Sequence, residues 1–270
     1  MIKRLVNKQS SEKKHVIFIS LIFFVFFSFS GYNLVVAWNN VNKIYEKVNF
    51  LPDVVYFDYD GTINDNDKYI KPALKYAIDT SLTKDQKRFY KHIKDDFDVF
   101  DFLYTFNLYD KAISKYDAFL LEKKFKPVKN VINFFDALKQ KNVKMVVASA
   151  KYKKGLKTEI ENRGISNYFV KLYGSNETRY YNKPSKEYTN KIEKELKLKS
   201  GYKCWNFGDT KTDVVMGRNF GCITFMIDTK DKKRILEAYK EEIDKTIFFV
   251  KYQDMIKLLE KIPNQSKKFA

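Results

Sequence analysis

From Val54 to Lys261, short apolar runs rich in β-branched and aromatic residues alternate with amphipathic stretches, and this alternation limits the fold more than any other feature. Residues 54–57, 143–148, 169–174, 204–207, 223–227 and 247–250 read as strands. Between them, residues 131–139, 155–163, 185–198, 214–220 and 255–261 place apolar side chains on one helical face. Strands alternating with helices over this length predict an α/β domain whose parallel sheet is covered on both faces. No internal repeat interrupts the pattern.

Residues 66–126 have a different character. Apolar positions recur there at helical spacing among many charges: Leu74, Ala77 and Ile78, then Phe97, Phe100, Phe102, Leu103 and Phe106, then Ile113, Tyr116, Phe119 and Leu120. None of this stretch reads as a strand, and Pro127 closes it. The expected organisation is a small helical insert at 66–126, set into a core formed by 53–65 and 127–262. A tail follows at 263–270. With 270 residues, 44% of them hydrophobic and 17% aromatic, the chain can pack a core of this size.

The N-terminus is of another kind. Residues 1–15 carry Lys3, Arg4, Lys8, Lys13 and Lys14 against one acid, Glu12. Residues 16–38 then run for about 23 positions without a charge, where a helix needs about 20 to cross the hydrocarbon layer. Trp38 ends the run, as an interfacial aromatic would. The basic flank is expected to stay cytoplasmic, which places the globular part on the other face. A cleaved export signal is the alternative, because Ser28-Phe29-Ser30 before Gly31 has the small-x-small form of a cleavage site. Residues 39–52 read as a polar spacer.

The net charge of +18 invites comparison with proteins that bind nucleic acid. Outside the N-terminus the lysines are spread evenly, whereas charge that recognises a polyanion is clustered. No nucleic-acid partner is expected. Cys204 and Cys222 each lie in an apolar run without metal-ligand spacing, and read as buried thiols; nothing in their spacing asks for a disulfide.

Four polar groups follow the carboxyl ends of strands, where open α/β sheets bind ligands. Asp58 and Asp60 lie two apart on a loop with Gly61 and Thr62. A carboxylate there can act as nucleophile while its neighbour gives and takes a proton. Their shared field suits Mg²⁺, which takes carboxylate and carbonyl oxygens. Ser149 ends a strand, where its hydroxyl and the backbone N–H of Ala150 can cradle a phosphate oxygen. Lys183 precedes Pro184 and can neutralise both a nucleophile and a phosphoryl group. Gly208-Asp209-Thr210-Lys211-Thr212-Asp213 follows the strand at 204–207, with Asp209 fit to complete a metal site and Asp213 to support it.

In this order and spacing, the four groups resemble the haloacid dehalogenase-like superfamily from Val54 to Ile262. The motifs are D-x-D-G-T at 58–62, an apolar strand ending in Ser at 146–149, Lys-Pro at 183–184 and G-D-x-x-x-D at 208–213. Asn130 stands where that family often has Gly, and 217–221 departs from its usual A-x-x-A-G. The resemblance implies a Rossmann-like core with a helical cap at 66–126. It also implies an aspartyl-phosphate on Asp58 and acid/base work by Asp60. Mg²⁺ would be held by Asp58, Asp60 and Asp209, and the phosphoryl group by Ser149, Ala150 and Lys183; Thr62, Gly208 and Asp213 would support them. Because Asp60 can protonate an alkoxide leaving group, the expected substrate is a small phosphate monoester. A phosphomutase of the same superfamily and a membrane-anchored non-catalytic module are the alternatives.

Overall fold

The computed structural model of the chain describes residues 41–93, 102–103, 105–123, 125–175, 182–227 and 247–263. The basic flank 1–15, the apolar segment 16–38 and residues 264–270 of the tail lie outside the described residues. Among the described residues, no helix is long and apolar enough to cross a membrane. The chain divides into two units, Met1–Asn49 and Phe50–Ala270. In the first unit, residues 41–47 are helical although 39–52 reads as a polar spacer; Val41, Ile44 and Val48 recur there at helical spacing.

The second unit runs β1 (Val54–Phe57), β2 (Asn64–Asp65), α1 (Asp67–Ser81), α2 (Lys84–Ile93), α3 (Tyr109–Leu121), β3 (Lys126–Pro127), α4 (Val131–Gln140), β4 (Lys144–Tyr152), α5 (Lys153–Asn162), β5 (Lys171–Ser175), α6 (Lys186–Leu196), β6 (Cys204–Gly208), α7 (Lys211–Phe220), β7 (Ile223–Ile227), β8 (Ile247–Val250) and α8 (Tyr252–Lys261). Six strands form one sheet in the order β5-β4-β1-β6-β7-β8. Every pairing within it is parallel. The expected α/β core is therefore present.

Alternation along β1 decides which side chain faces which layer. Val54 and Tyr56 join Val146, Tyr173, Tyr188, Ile192, Met216 and Phe220 in one apolar cluster, under α6 and α7. Tyr56 stacks on Phe220 with ring centroids 4.0 Å apart. Phe57 points the other way, toward α4: its ring lies 5.0 Å from Phe135 and 5.1 Å from Phe207. Phe134 then meets Tyr252 of α8 at 5.3 Å, which closes the second layer. A buried strand with large aromatics on both faces has little freedom to shift, and the loop after it inherits that rigidity.

Two local features depart from the sequence reading. The described part of 66–126 holds helices α1, α2 and α3, but a short antiparallel pair frames it, with Asn64 opposite Pro127 and Asp65 opposite Lys126. Two-residue strands are too short for periodicity to reveal. Cys204 and Cys222 are joined in a disulfide with their Cα atoms 4.8 Å apart, where buried thiols were expected. The cause is register: Trp205 pairs with Ile223, so the residue before each lies next to its counterpart.

Candidate active site

Strand order reverses at β1. The chain leaves β1 for β4 and β5 on one side, then crosses back to β6, β7 and β8 on the other. Such a switch point opens a crevice at the strands' carboxyl ends. Phe57 pairs with Val147 of β4 and Phe207 of β6, so Asp58, Ala148 and Gly208 stand level one step further on. The Asp58 N–H donates to the Phe207 carbonyl at 2.9 Å, which carries the β1–β6 ladder into the loop.

Lys183 reaches this level from the turn before α6, whose N-cap is Ser185. Its ammonium lies 2.6 Å from Asp58 Oδ1 and 2.5 Å from Asp213 Oδ1, and donates to the Ala148 carbonyl at 3.2 Å. The ammonium thus faces two carboxylates and a carbonyl. Burial works against the charge, but Asp213 and Asp58 hold the ammonium well above its ordinary range. Burial also pushes the Asp58 carboxyl up to about 7, against the pull of Lys183.

Asp213 is fully committed by its neighbours. Its Oδ2 accepts from Asp209 N at 3.2 Å, Thr210 N at 2.9 Å and Thr210 Oγ1 at 2.7 Å. These contacts cap α7 and satisfy N–H groups that a helix start leaves open. Asn206, wholly buried on β6, donates to the Asp213 carbonyl at 2.9 Å and fixes the same turn from below. Gly208 permits the approach, because a Cβ there would lie 2.1 Å from Asp213 Cγ.

Carboxylate oxygens of Asp58, Asp209 and Asp213 lie within 4.8 Å of one another. Since Asp213 faces Lys183 and the turn, Asp58 and Asp209 are the better placed of the three to hold a cation. Hard oxygen donors in this number suit Mg²⁺, which keeps several of its own waters and needs few protein ligands. Thr62 is buried and its hydroxyl donates to Asp209 Oδ1 at 3.4 Å, while its carbonyl accepts from Tyr252 at 3.1 Å.

The Asp60 carboxylate stands outside that cluster. Asn66 Nδ2 donates to its Oδ1 at 2.5 Å, and Asn66 Oδ1 accepts from Gly61 N at 3.2 Å. The other oxygen faces Lys151 Nζ at 3.8 Å. Two carboxylates two residues apart thus occupy separate surroundings, one beside Lys183 and Asp209, the other held by an amide and faced by a second lysine.

Ser149 is buried on β4, and its Oγ accepts from Lys151 N at 3.2 Å. The strand does not end at Ser149 but runs on to Tyr152. Its pairing with β5 jumps between Ala148 and Tyr152, so Ser149, Ala150 and Lys151 sit in an irregular stretch. Ala150 is exposed there. Sequence reasoning missed Asn66, Lys151 and Asn206. Asn66 follows Asp60 by six residues at the start of α1, and Lys151 follows Ser149 by two, but neither position has a spacing that marks it.

The fold is α/β, with paired carboxylates on the loop after its first strand. Residues 55–227 match the family model of haloacid dehalogenase-like hydrolases, and the chain belongs to that family. Solved structures agree in fold. A HAD-superfamily hydrolase from Ehrlichia chaffeensis is 18% identical with a TM-score of 0.51, over 79% of this chain and 98% of that one. The HAD hydrolase YfnB of Bacillus subtilis, solved with magnesium, is 22% identical with a TM-score of 0.56, over 76% of this chain and 97% of that one. A protein of Thermotoga maritima assigned as a β-phosphoglucomutase is 17% identical with a TM-score of 0.54, over 78% and 99%. No curated protein sequence matches the chain.

Proposed function

We propose that the chain is a Mg²⁺-dependent phosphatase that hydrolyses a small phosphate monoester through an aspartyl-phosphate on Asp58. One observation carries the reading: Asp58 lies against Lys183 at 2.6 Å and within ligand reach of Asp209, while Asp60 is held apart from that group by Asn66. A nucleophile and a proton donor need such different surroundings.

An Asp58 oxygen attacks phosphorus as the ester P–O bond breaks. Asp60 gives its proton to the departing alkoxide oxygen. Water then attacks the aspartyl-phosphate, Asp60 takes the proton from it, and phosphate leaves with the Asp58 carboxylate restored. Lys183, the Ser149 hydroxyl and the Ala150 N–H bind the phosphoryl oxygens and balance their charge. Asp58, the Asp60 carbonyl and Asp209 would hold Mg²⁺, which supplies further charge neutralisation at the phosphoryl group. Helices α1 to α3 act as a cap that limits water at the site.

The full chain with Mg²⁺ is expected to release inorganic phosphate from members of a panel of phosphorylated metabolites, and Asp58→Asn to release none. Full activity in that variant would refute the reading. Conversion of a hexose 1-phosphate to its 6-phosphate without phosphate release would instead establish a mutase. Residues 16–38 would place the catalytic unit outside the cytoplasm, and the Cys204–Cys222 disulfide supports an oxidising compartment. Intact mass of the natural product tests the anchor, since a chain beginning at Gly31 would show a cleaved signal.

A further inference from the structure

Lys151 is a second buried lysine at the site, and the scheme above leaves it unused. Its side chain is wholly buried at the end of β4. Three carboxylates from three parts of the chain face its ammonium. Glu159 Oε1 of α5 lies at 2.7 Å, Asp60 Oδ2 at 3.8 Å and Asp117 Oδ1 of α3 at 3.8 Å. The Tyr116 ring, also of α3, covers it with its centroid 5.5 Å from Nζ. Burial opposes the charge, but Asp60, Glu159 and Asp117 outweigh it and hold the ammonium above its ordinary value.

Two further features show that this contact is built. Gly155 lets α3 come close: a Cβ there would lie 2.2 Å from Asp117 Oδ2. Arg163, the C-cap of α5, donates to the Tyr59 hydroxyl at 3.0 Å and to the Phe125 carbonyl at 3.0 Å, joining the catalytic loop to the segment that returns from the helical insert. Asp60 is thus gripped on one oxygen by Asn66 and faced on the other by a cation that the insert helps to hold.

We propose that Lys151 is a positioning residue: it holds Asp60 for protonation of the leaving group, and its contact with Asp117 makes that placement depend on the helical insert being docked. This rests on the phosphatase reading above. It predicts a signature that mere loss of packing would not produce. Leaving groups that depart readily need little proton donation, so misplacing Asp60 must slow poor leaving groups selectively.

The test uses the full chain with Mg²⁺ and a series of para-substituted phenyl phosphates, from p-nitrophenyl to p-methoxyphenyl, which share size and differ in leaving-group basicity. Wild type is expected to show a shallow dependence of kcat/KM, which reports the step in which the leaving group departs, on that basicity. Lys151→Met should steepen it, with kcat/KM falling about 100-fold or more for p-methoxyphenyl phosphate and less than about tenfold for p-nitrophenyl phosphate. Lys151→Arg should recover part of the loss. Asp117→Asn, which leaves Lys151 in place and keeps the side-chain shape, should steepen the dependence to a smaller degree and reports even where Lys151→Met fails to fold. A uniform fall in kcat/KM across the series would overturn the proposal while the phosphatase reading stands. An unchanged slope in Asp117→Asn would overturn the link to the insert. Wild type inactive on the whole series would instead count against the phosphatase reading itself.

Discussion

Two buried lysines flank the loop Asp58-Tyr59-Asp60, and their surroundings differ. Lys183 meets Asp58, Asp213 and the Ala148 carbonyl, all fixed by the parallel sheet or by the start of α7. Lys151 meets Asp60, Glu159 and Asp117, and the last of these comes from the helical insert. The first lysine answers to the rigid core alone; the second answers to core and insert together. One side of the site is therefore set by folding of the sheet, and the other depends on how an inserted element docks.

The largest test of this contrast is Lys183→Met. It removes the cation beside Asp58 and leaves two buried carboxylates, Asp58 and Asp213, without their counter-charge. Activity should fall about 10²–10³-fold, equally for good and poor leaving groups. Stability should fall by about 3–5 kcal/mol, measured by denaturant unfolding. A selective loss on poor leaving groups would erase the distinction between the two lysines.

Stability against pH probes the Lys183 side without changing it. The Asp58 carboxyl is pushed from an ordinary 3.8 up to about 7 in the folded chain. Between those values the folded state holds a proton that the unfolded state has lost, so stability falls as pH rises through the window and levels off above about pH 7. Metal-free protein should show this fall in unfolding free energy, on the order of 1 kcal/mol per pH unit, and Asp58→Asn should lack that part of it. An identical profile in the two proteins would contradict the account of burial at Asp58.

The disulfide gives a control remote from both lysines. The two cysteines are 18 residues apart, and opening a loop of this size costs about 3 kcal/mol. Cys204→Ser with Cys222→Ser should lower stability by that much under oxidising conditions and leave kcat nearly unchanged. A large fall in kcat would mean that the β6–β7 edge positions Asp209 more directly than the sheet geometry implies. Gly208→Ala should have the smallest effect on folding, about 1–3 kcal/mol, through the overlap of its new Cβ with the Asp213 side chain. It should lower activity through Asp213 and Lys183, while the leaving-group dependence stays as in wild type.

The contrast also explains what could be read from the sequence. Everything on the Lys183 side follows a strand end or starts a helix, so β1, β6 and the groups Asp58, Asp209 and Asp213 could be found from periodicity and turn residues. Lys183 was one lysine among many until its place in a known motif order singled it out. The Lys151 side could not be read in the same way. Asp117 and Glu159 lie on amphipathic helices among many other charges, and only the close approach at Gly155 brings them to one ammonium. The disulfide stayed hidden for a related reason: each cysteine read correctly as buried, but their pairing depends on the register between β6 and β7.

The central claim is that Asp58 takes the phosphoryl group while Asp60 handles the proton. Acid quenching of the full chain during turnover of p-nitrophenyl phosphate, followed by peptide mass analysis, tests it directly. The account predicts one added phosphoryl group on the peptide containing Asp58, absent in Asp58→Asn and accumulating in Asp60→Asn, where proton removal from the attacking water is impaired. A phosphoryl group on any other residue, or turnover with Asp58→Asn unchanged from wild type, would contradict it.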